Sequence, residues 1–331
     1  MIRKSRITGR ILAIIMTVAL VSASFSGCGG SDKKKDKDAY RQYGINCIEN
    51  GNYDDAIEAF QKALDLEVGN VGDEEIDICF YKAKAQYLSG DIDGAIESYT
   101  AIIDYNGNAD AYYLRGCQYF AQNDPDKGMD DFKKAINKNN KNYELYIGIY
   151  ETLSKYGMAD QGNEYLADAL KIKGDKPDDH MQKGRIYTIQ GDYESAIDNL
   201  QKAIDGKLVK ANYYMGEAYS KQGDGDNASK YYQAYLDSGE ADAYDLFNMG
   251  QSQMEQGNYA TAITYFDAAL DLDEVPNKQE LMLNEREVRY RMKCAVDSKV
   301  PFTNYGITIA YMQGILKRSL EIFPKLLKDF K

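Results

Sequence analysis

Tryptophan is missing from the chain, and histidine occurs once, as His180. A mechanism that moves protons through His, or a zinc centre of several His and Cys, therefore has almost no material to work with. Cysteine is scarce too, five in 331 residues with no two at CxxC spacing. That removes the redox and metal motifs such spacing carries. Cys47, Cys79, Cys117 and Cys294 cannot be paired from sequence, and the expectation for them is buried thiols acting as small hydrophobes. Five prolines leave long helices uninterrupted. No GxxxxGK[ST], GxSxG or HExxH is present. The segment Asp224-Gly225-Asp226-Asn227 has a faint likeness to a calcium loop, but it lies between helices and lacks the later ligands. No catalytic residue, metal or cofactor is expected, and the chain reads as a non-enzyme. Lone His180 reads as a half-buried spacer.

What is abundant is tyrosine, 29 of them, within a hydrophobic content of 44% and a charged content of 28%. That balance belongs to a folded soluble body, with aromatic side chains as fillers between helices. Charge is uneven. Removing the +4 of residues 1–27 and the +5 of residues 285–331 from the total of −12 leaves −21 on residues 28–284. Such a body repels nucleic acid and other anionic polymers.

The strongest signal is periodic. Small residues stand at Ala56, Ala95, Gly128, Gly162, Ala196, Ala228 and Ala262, with intervals of 39, 33, 34, 34, 32 and 34. Four residues after each comes Phe60, Tyr99, Phe132, Leu166, Leu200, Tyr232 or Phe266, and four further on another aliphatic residue. Steps of four put these columns on one helical face. Five residues before each small residue lies a turn position: Gly51, Gly90, Asn123, Gly157, Gly191, Gly223, Gly257. Gly and Asn tolerate the left-handed backbone that ends a helix sharply. Twelve residues before is a second column, mostly small: Gly44, Ala83, Gly116, Tyr150, Gly184, Gly216, Gly250. Each unit is helix, tight turn, helix.

This order of residues at a period of 34 resembles the tetratricopeptide repeat, TPR. The resemblance covers seven copies, at 37–70, 76–109, 109–142, 143–176, 177–208, 209–242 and 243–276. It implies an all-α fold, a right-handed α-solenoid. The family's Trp is missing from every copy and its closing Pro from most, and the fourth departs furthest, with Tyr150 where Gly is expected. The extra residues 67–75 are expected to lengthen the link between the first two repeats.

At the amino end, Arg3, Lys4, Arg6 and Arg10 precede an apolar run at 11–21. The run is short for a membrane span and suits a secretion signal. Phe25-Ser26-Gly27-Cys28 resembles a bacterial lipobox, with Phe where Leu is usual. The resemblance implies a signal peptide over 1–27, lipidation of Cys28, and a protein held on the extracytoplasmic face of the membrane by its acyl chains. The GCGG run and Lys-rich spacer look more like a Gram-positive lipoprotein. Residues 28–38, rich in Gly, Ser and mixed charge, are expected to form a flexible tether. Beyond residue 277 the periodicity stops and the charge turns basic. Residues 281–295 read as a polar closing helix, and the remainder to 331 as a loosely held basic tail.

In the family this chain resembles, the first helix of each repeat lines a concave surface, and its fifth and ninth positions meet the ligand. Carried over, the fifth positions are Arg41, Phe80, Tyr113, Ile147, Met181, Tyr213 and Phe247. The ninth are Ile45, Lys84, Cys117, Glu151, Arg185, Glu217 and Gln251. An aromatic strip with a few charges suits an extended or helical peptide. Packing between neighbouring units is the competing role for the same residues. The Lys/Asn set with which some family members clamp a terminal carboxylate is missing. The expectation is a membrane-tethered scaffold that binds another protein or peptide in this groove. A glycan- or solute-binding lipoprotein is the alternative.

Overall fold

In the computed structural model of the chain, residues 30–66 and 72–272 are described; the signal peptide, Cys28, Cys294 and the closing helix and tail lie outside them. The described residues form fourteen α-helices and no strand. They divide into two units. The first, up to Ile172, holds α1 (Gly30–Glu49), α2 (Tyr53–Asp65), α3 (Asp73–Ser89), α4 (Ile92–Asn106), α5 (Ala109–Ala121), α6 (Pro125–Lys138), α7 (Tyr143–Lys155) and α8 (Ala159–Leu170). The second, from Lys173, holds α9 (Pro177–Gln190), α10 (Tyr193–Asp205), α11 (Ala211–Gln222), α12 (Gly225–Asp237), α13 (Ala243–Glu255) and α14 (Tyr259–Asp271). Within each unit consecutive helices pack as antiparallel pairs. First helices of adjacent repeats also touch, α1 on α3 and α5 on α7 in the first unit, α9 on α11 and α11 on α13 in the second. None of the described helices is long and apolar enough to cross a membrane.

The seven turns are built alike. Every expected turn residue, Asn123 included, has a positive φ between 61° and 88°. One residue later, a backbone N–H reaches back five positions to close the first helix: Asn52 to Cys47, Asp91 to Gln86, Asp124 to Tyr119, Met158 to Leu153, Asp192 to Tyr187, Asp224 to Tyr219 and Asn258 to Gln253, all at 2.8–3.0 Å. This satisfies carbonyls that a helix end leaves open. Four of the residues that follow the turn then start the second helix. Asp91, Asp124, Asp192 and Asp224 accept from the N–H three residues on, at 2.9–3.3 Å. Each such cap is worth about 1 kcal/mol.

The small column has the packing role its spacing implies. A Cβ placed on Gly116 would lie 2.7 Å from Phe132 and 3.1 Å from the Gly128 carbonyl, so α5 and α6 meet with no room for a side chain. The fourth repeat solves the same problem in reverse. Tyr150 occupies the first-helix position, and Gly162 across from it makes room, a Cβ there falling 2.9 Å from the Tyr150 ring. The weak copy is therefore a compensated exchange of large and small. Phe60, Phe132, Leu166, Leu200, Tyr232 and Phe266 are buried in the cores so formed, each contributing about 1.5–3 kcal/mol of burial.

Two features differ from expectation. The tether over 28–38 is helical from Gly30 onward, because Lys37 is drawn down onto the repeats. It is 1% exposed, and its ammonium donates to the Glu75 carboxylate on α3. Glu75 also accepts from the Gly72 N–H at 2.7 Å, capping α3. The end of the 67–75 insertion is thereby taken into α3, which starts at Asp73, three residues before the repeat start at 76.

Candidate functional site

The most developed concavity in the first unit is a hollow of about 710 Å³, lined by α3, α5 and the end of α7, with Tyr99 of α4 behind them. These are first helices of successive repeats. Asp77, Tyr81, Lys84 and Leu88 follow one another along α3, and Asp110, Leu114, Cys117 and Ala121 repeat the same steps of four, three and four along α5. Such steps keep one face of a helix toward the space. Tyr87, Leu88 and Tyr156 are 44%, 39% and 42% exposed there, unusual for large apolar side chains. The hollow is open because α5 offers only Cys117 and Ala121 where longer side chains would fill it.

Local chemistry holds the walls in place. Phe80 packs on Tyr99 with ring centroids 6.1 Å apart, and Tyr156 on Phe120 at 5.3 Å. The Tyr113 hydroxyl sits over Gly148, where a Cβ would approach it to 2.5 Å. Cys117 Sγ lies 3.5 Å from Thr152 Oγ1, and the Thr152 hydroxyl donates to the Gly148 carbonyl at 2.9 Å. Burial pushes the Tyr113 hydroxyl and the Cys117 thiol up, so both stay protonated and Cys117 is a poor nucleophile. Asp77 is occupied: Arg41 Nε donates to it at 2.7 Å, and the guanidinium lies 5.3 Å from the Tyr81 ring. Gln118 lines the hollow at 4% exposure, and its side-chain oxygen is fully buried without a hydrogen-bond partner.

Of the residues expected in a groove, Phe80, Lys84 and Cys117 line this space, with Tyr113 and Arg41 one layer behind. Ile45 is half-buried against the α1–α2 core, and Glu151 is exposed. Ile147 is buried between helices of the same unit, as are Met181 and Tyr213 in the second. Arg185 stacks on the Tyr214 ring at 4.6 Å and donates to Gln182 at 2.7 Å. Glu217 pairs with Lys221 at 2.9 Å, Phe247 packs on Phe266 at 5.9 Å, and Gln251 is half-buried. Tyr87, Leu88, Gln118, Lys155 and Tyr156 were missed. Leu88 and Lys155 share the thirteenth position of their repeats with Ala121, on the face that continues from the second, sixth and ninth, whereas Tyr87, Gln118 and Tyr156, at the twelfth, tenth and fourteenth, lie off that face and carry no repeating signal.

The remaining chemistry-bearing residues are structural. His180 bonds Asp175 at 2.9 Å and Asn199 at 3.3 Å. Asp224 is occupied in capping α12. Cys47, Cys79 and Cys117 are free thiols, Cys47 buried and the others half-buried. Among the described residues no group of His, Cys, Asp or Glu could hold a metal ion.

Family models described as tetratricopeptide repeat match residues 37–70, 82–143, 181–245 and 213–277. Together they span more than half of the chain, which belongs to the tetratricopeptide-repeat family. Proteins of this family are generally protein-interaction scaffolds and typically not enzymes. A model of the hydrogen maturase F tetramerization domain matches residues 277–322, outside the described part. No curated protein matches the chain. Among solved structures, yeast Tom70 is 16% identical with a TM-score of 0.55, over 87% of this chain and 60% of its own. A tetratricopeptide repeat protein from Parabacteroides merdae is 13% identical with a TM-score of 0.47, over 76% of this chain and 98% of its own. At such identity the likeness to Tom70 speaks for the fold alone.

Proposed function

We propose that this protein is a scaffold that grips a segment of another protein in the hollow between α3, α5 and α7, and that it does so from the extracytoplasmic face of a bacterial membrane, tethered by lipid on Cys28. The observation that carries the binding half is the exposure of Tyr87, Leu88 and Tyr156 around one concavity. Large apolar side chains left in contact with water at a hollow mark an interaction site. Amphipathic aromatic rings give contact area at low entropic cost, which suits capture of a peptide. The membrane half rests on the basic start, the apolar run and Cys28.

Crosslinking on intact cells followed by recovery from detergent-solubilised membranes tests the first half. A Tyr87→Ala/Tyr156→Ala variant loses the partners that the wild type recovers. Equal recovery refutes the site, and a thermal shift with saccharides but no protein partner moves the reading to a glycan-binding lipoprotein. Labelled palmitate tests the second half. It is incorporated by the wild type and not by Cys28→Ala; absence of label from both removes the anchor.

A further inference from the structure

The first helix reaches past the repeat it belongs to. The first repeat begins at residue 37, yet α1 starts at Gly30, seven positions earlier. The projection is about two turns of helix, or 10 Å, beyond Lys37. It is fixed to the body at its base. Lys37 is buried and donates to Glu75 on α3, and one turn on, Arg41 Nε donates to Asp77 of the same helix at 2.7 Å. Cys28 stands two positions before Gly30, at most about 7 Å of extended chain. A flexible tether over 28–38 would leave the body free to turn any face to a membrane. A helix locked onto α3 does not.

Antiparallel pairing gives the first unit two unlike edges. The linker edge is made by the ends of α2, α4 and α6 with the starts of α3, α5 and α7, and α1 projects from it. The turn edge holds Gly51, Gly90, Asn123 and Gly157. There every second helix opens with an exposed acid, Asp54, Asp93, Asp126 and Asp160, and an anionic bilayer repels these. On the linker edge charge is mixed. Lys33, Lys34 and Lys35 are exposed on the projecting turns, and Lys138 and Lys141 between α6 and α7, but acids such as Asp38, Asp73 and Asp104 offset them. Geometry, more than attraction of charge, therefore sets which edge meets a membrane. Tyr105 stands on the linker edge too, 55% exposed at the end of α4, and an amphipathic ring suits the level of lipid headgroups.

Resting on the reading of Cys28 as a lipid anchor, we propose that the linker edge of the first unit is a membrane-facing surface, held toward the phospholipid bilayer by α1 as a rigid stalk, with the turn edge directed away. The linker edge then lies within about 20 Å of the headgroups. Tyr87, fourteen positions along α3 from Asp73, stands about 20 Å farther out. The exposed rim of the hollow is thereby presented to partners beyond the membrane surface, and not to segments lying on it.

The chain contains no Trp, so a single introduced Trp is the sole donor for energy transfer. The acylated protein is reconstituted in phosphatidylethanolamine/phosphatidylglycerol vesicles that carry dansyl on a fraction of the headgroups. Tyr105→Trp is expected to transfer at least about twofold more than Tyr87→Trp, given roughly 20 Å between the two edges. Asn139→Trp, exposed at the end of α6, reports the same edge and decides the matter where Tyr105→Trp is poorly folded. A Gly-Ser-Gly-Ser-Gly-Ser insertion between Lys35 and Asp36 frees the stalk and leaves Lys37 in place, and the difference between edges is expected to vanish. Equal transfer from both edges without the insertion overturns the orientation while the anchor stands. A difference that survives the insertion shows that α1 does not set it, and overturns the stalk. If the wild type takes up no acyl label and fails to float with the vesicles, the anchor falls and this reading with it.

Discussion

The two units share one repeat and present different faces. In the first, α5 carries Cys117 and Ala121 at the ninth and thirteenth positions of its repeat, and a hollow opens above them. In the second, the same positions of α11 hold Glu217 and Lys221, which pair with each other. Arg185 lies flat on Tyr214 beside them. The cation of Lys210 is spent inside: it donates to the buried Asp245 carboxylate, which also accepts from the Tyr235 hydroxyl at 2.5 Å, and lies 5.3 and 5.5 Å from the rings of Tyr213 and Tyr235. Besides Lys37–Glu75, the first unit keeps a buried ion pair between paired helices. Arg115 grips Asp131 with two bonds of 2.7 and 3.0 Å and Thr100 with a third of 2.9 Å, leaving the groove face free. Identical architecture thus carries opposite surfaces, because the columns that build the fold and the face that meets a ligand are different residues.

The sharpest way to break this comparison is through the two buried carboxylates. Asp131→Ala strands Arg115 in the core of the first unit and costs about 3 kcal/mol or more, read by urea unfolding with hydrogen exchange resolved to each unit. Asp245→Ala costs less, about 1–2 kcal/mol, because Lys210 is 31% exposed and can turn to water. Equal losses would show that the two networks are not different in kind. Next in size is Gly116→Val, which forces Cβ into Phe132 and destabilises the first unit by about 2 kcal/mol; the second unit's exchange should be unmoved. Arg185→Ala is expected to cost about 0.5–1 kcal/mol by losing the ring contact, and to raise the reactivity of the Tyr214 ring to surface iodination. No change in reactivity would mean that Arg185 does not cover it.

The smallest effect is alkaline. A hydrogen bond with Cys47, followed by burial, pushes the Tyr43 hydroxyl up to about 12 from its ordinary 10. The folded state therefore holds this proton after the unfolded chain has released it. Its contribution is complete below pH 10 and is lost as pH rises toward 12. Tyr43→Phe should flatten the fall of stability in that window, measured as urea midpoints from pH 9 to 12. An unchanged slope would show that other tyrosines set it.

Much of the fold was legible because its rules are local. A residue that turns left-handed is least strained as Gly or Asn, and all seven marked positions do turn. A small residue opposite a large one at fixed spacing specifies a close helix pair, and even the exchange of Tyr150 and Gly162 can be read once both columns are written out. The candidate site was less legible. Phe80, Lys84 and Cys117 came from the repeat register, whereas Ile147, Met181 and Tyr213, from the same register, are packed away. Whether a first-helix residue is floor, wall or filler depends on the side chain opposite it on the next repeat.

The sequence by itself determined the helices, their turns and their pairing, since each follows from backbone preference and from side chains within one repeat. Tertiary structure alone decided that Lys37 closes onto Glu75, that Gln118 keeps an unmatched oxygen, and that Tyr87, Leu88 and Tyr156 stand open around one space. Those outcomes arise where residues of different repeats compete for the same volume, and chain order does not set such competition.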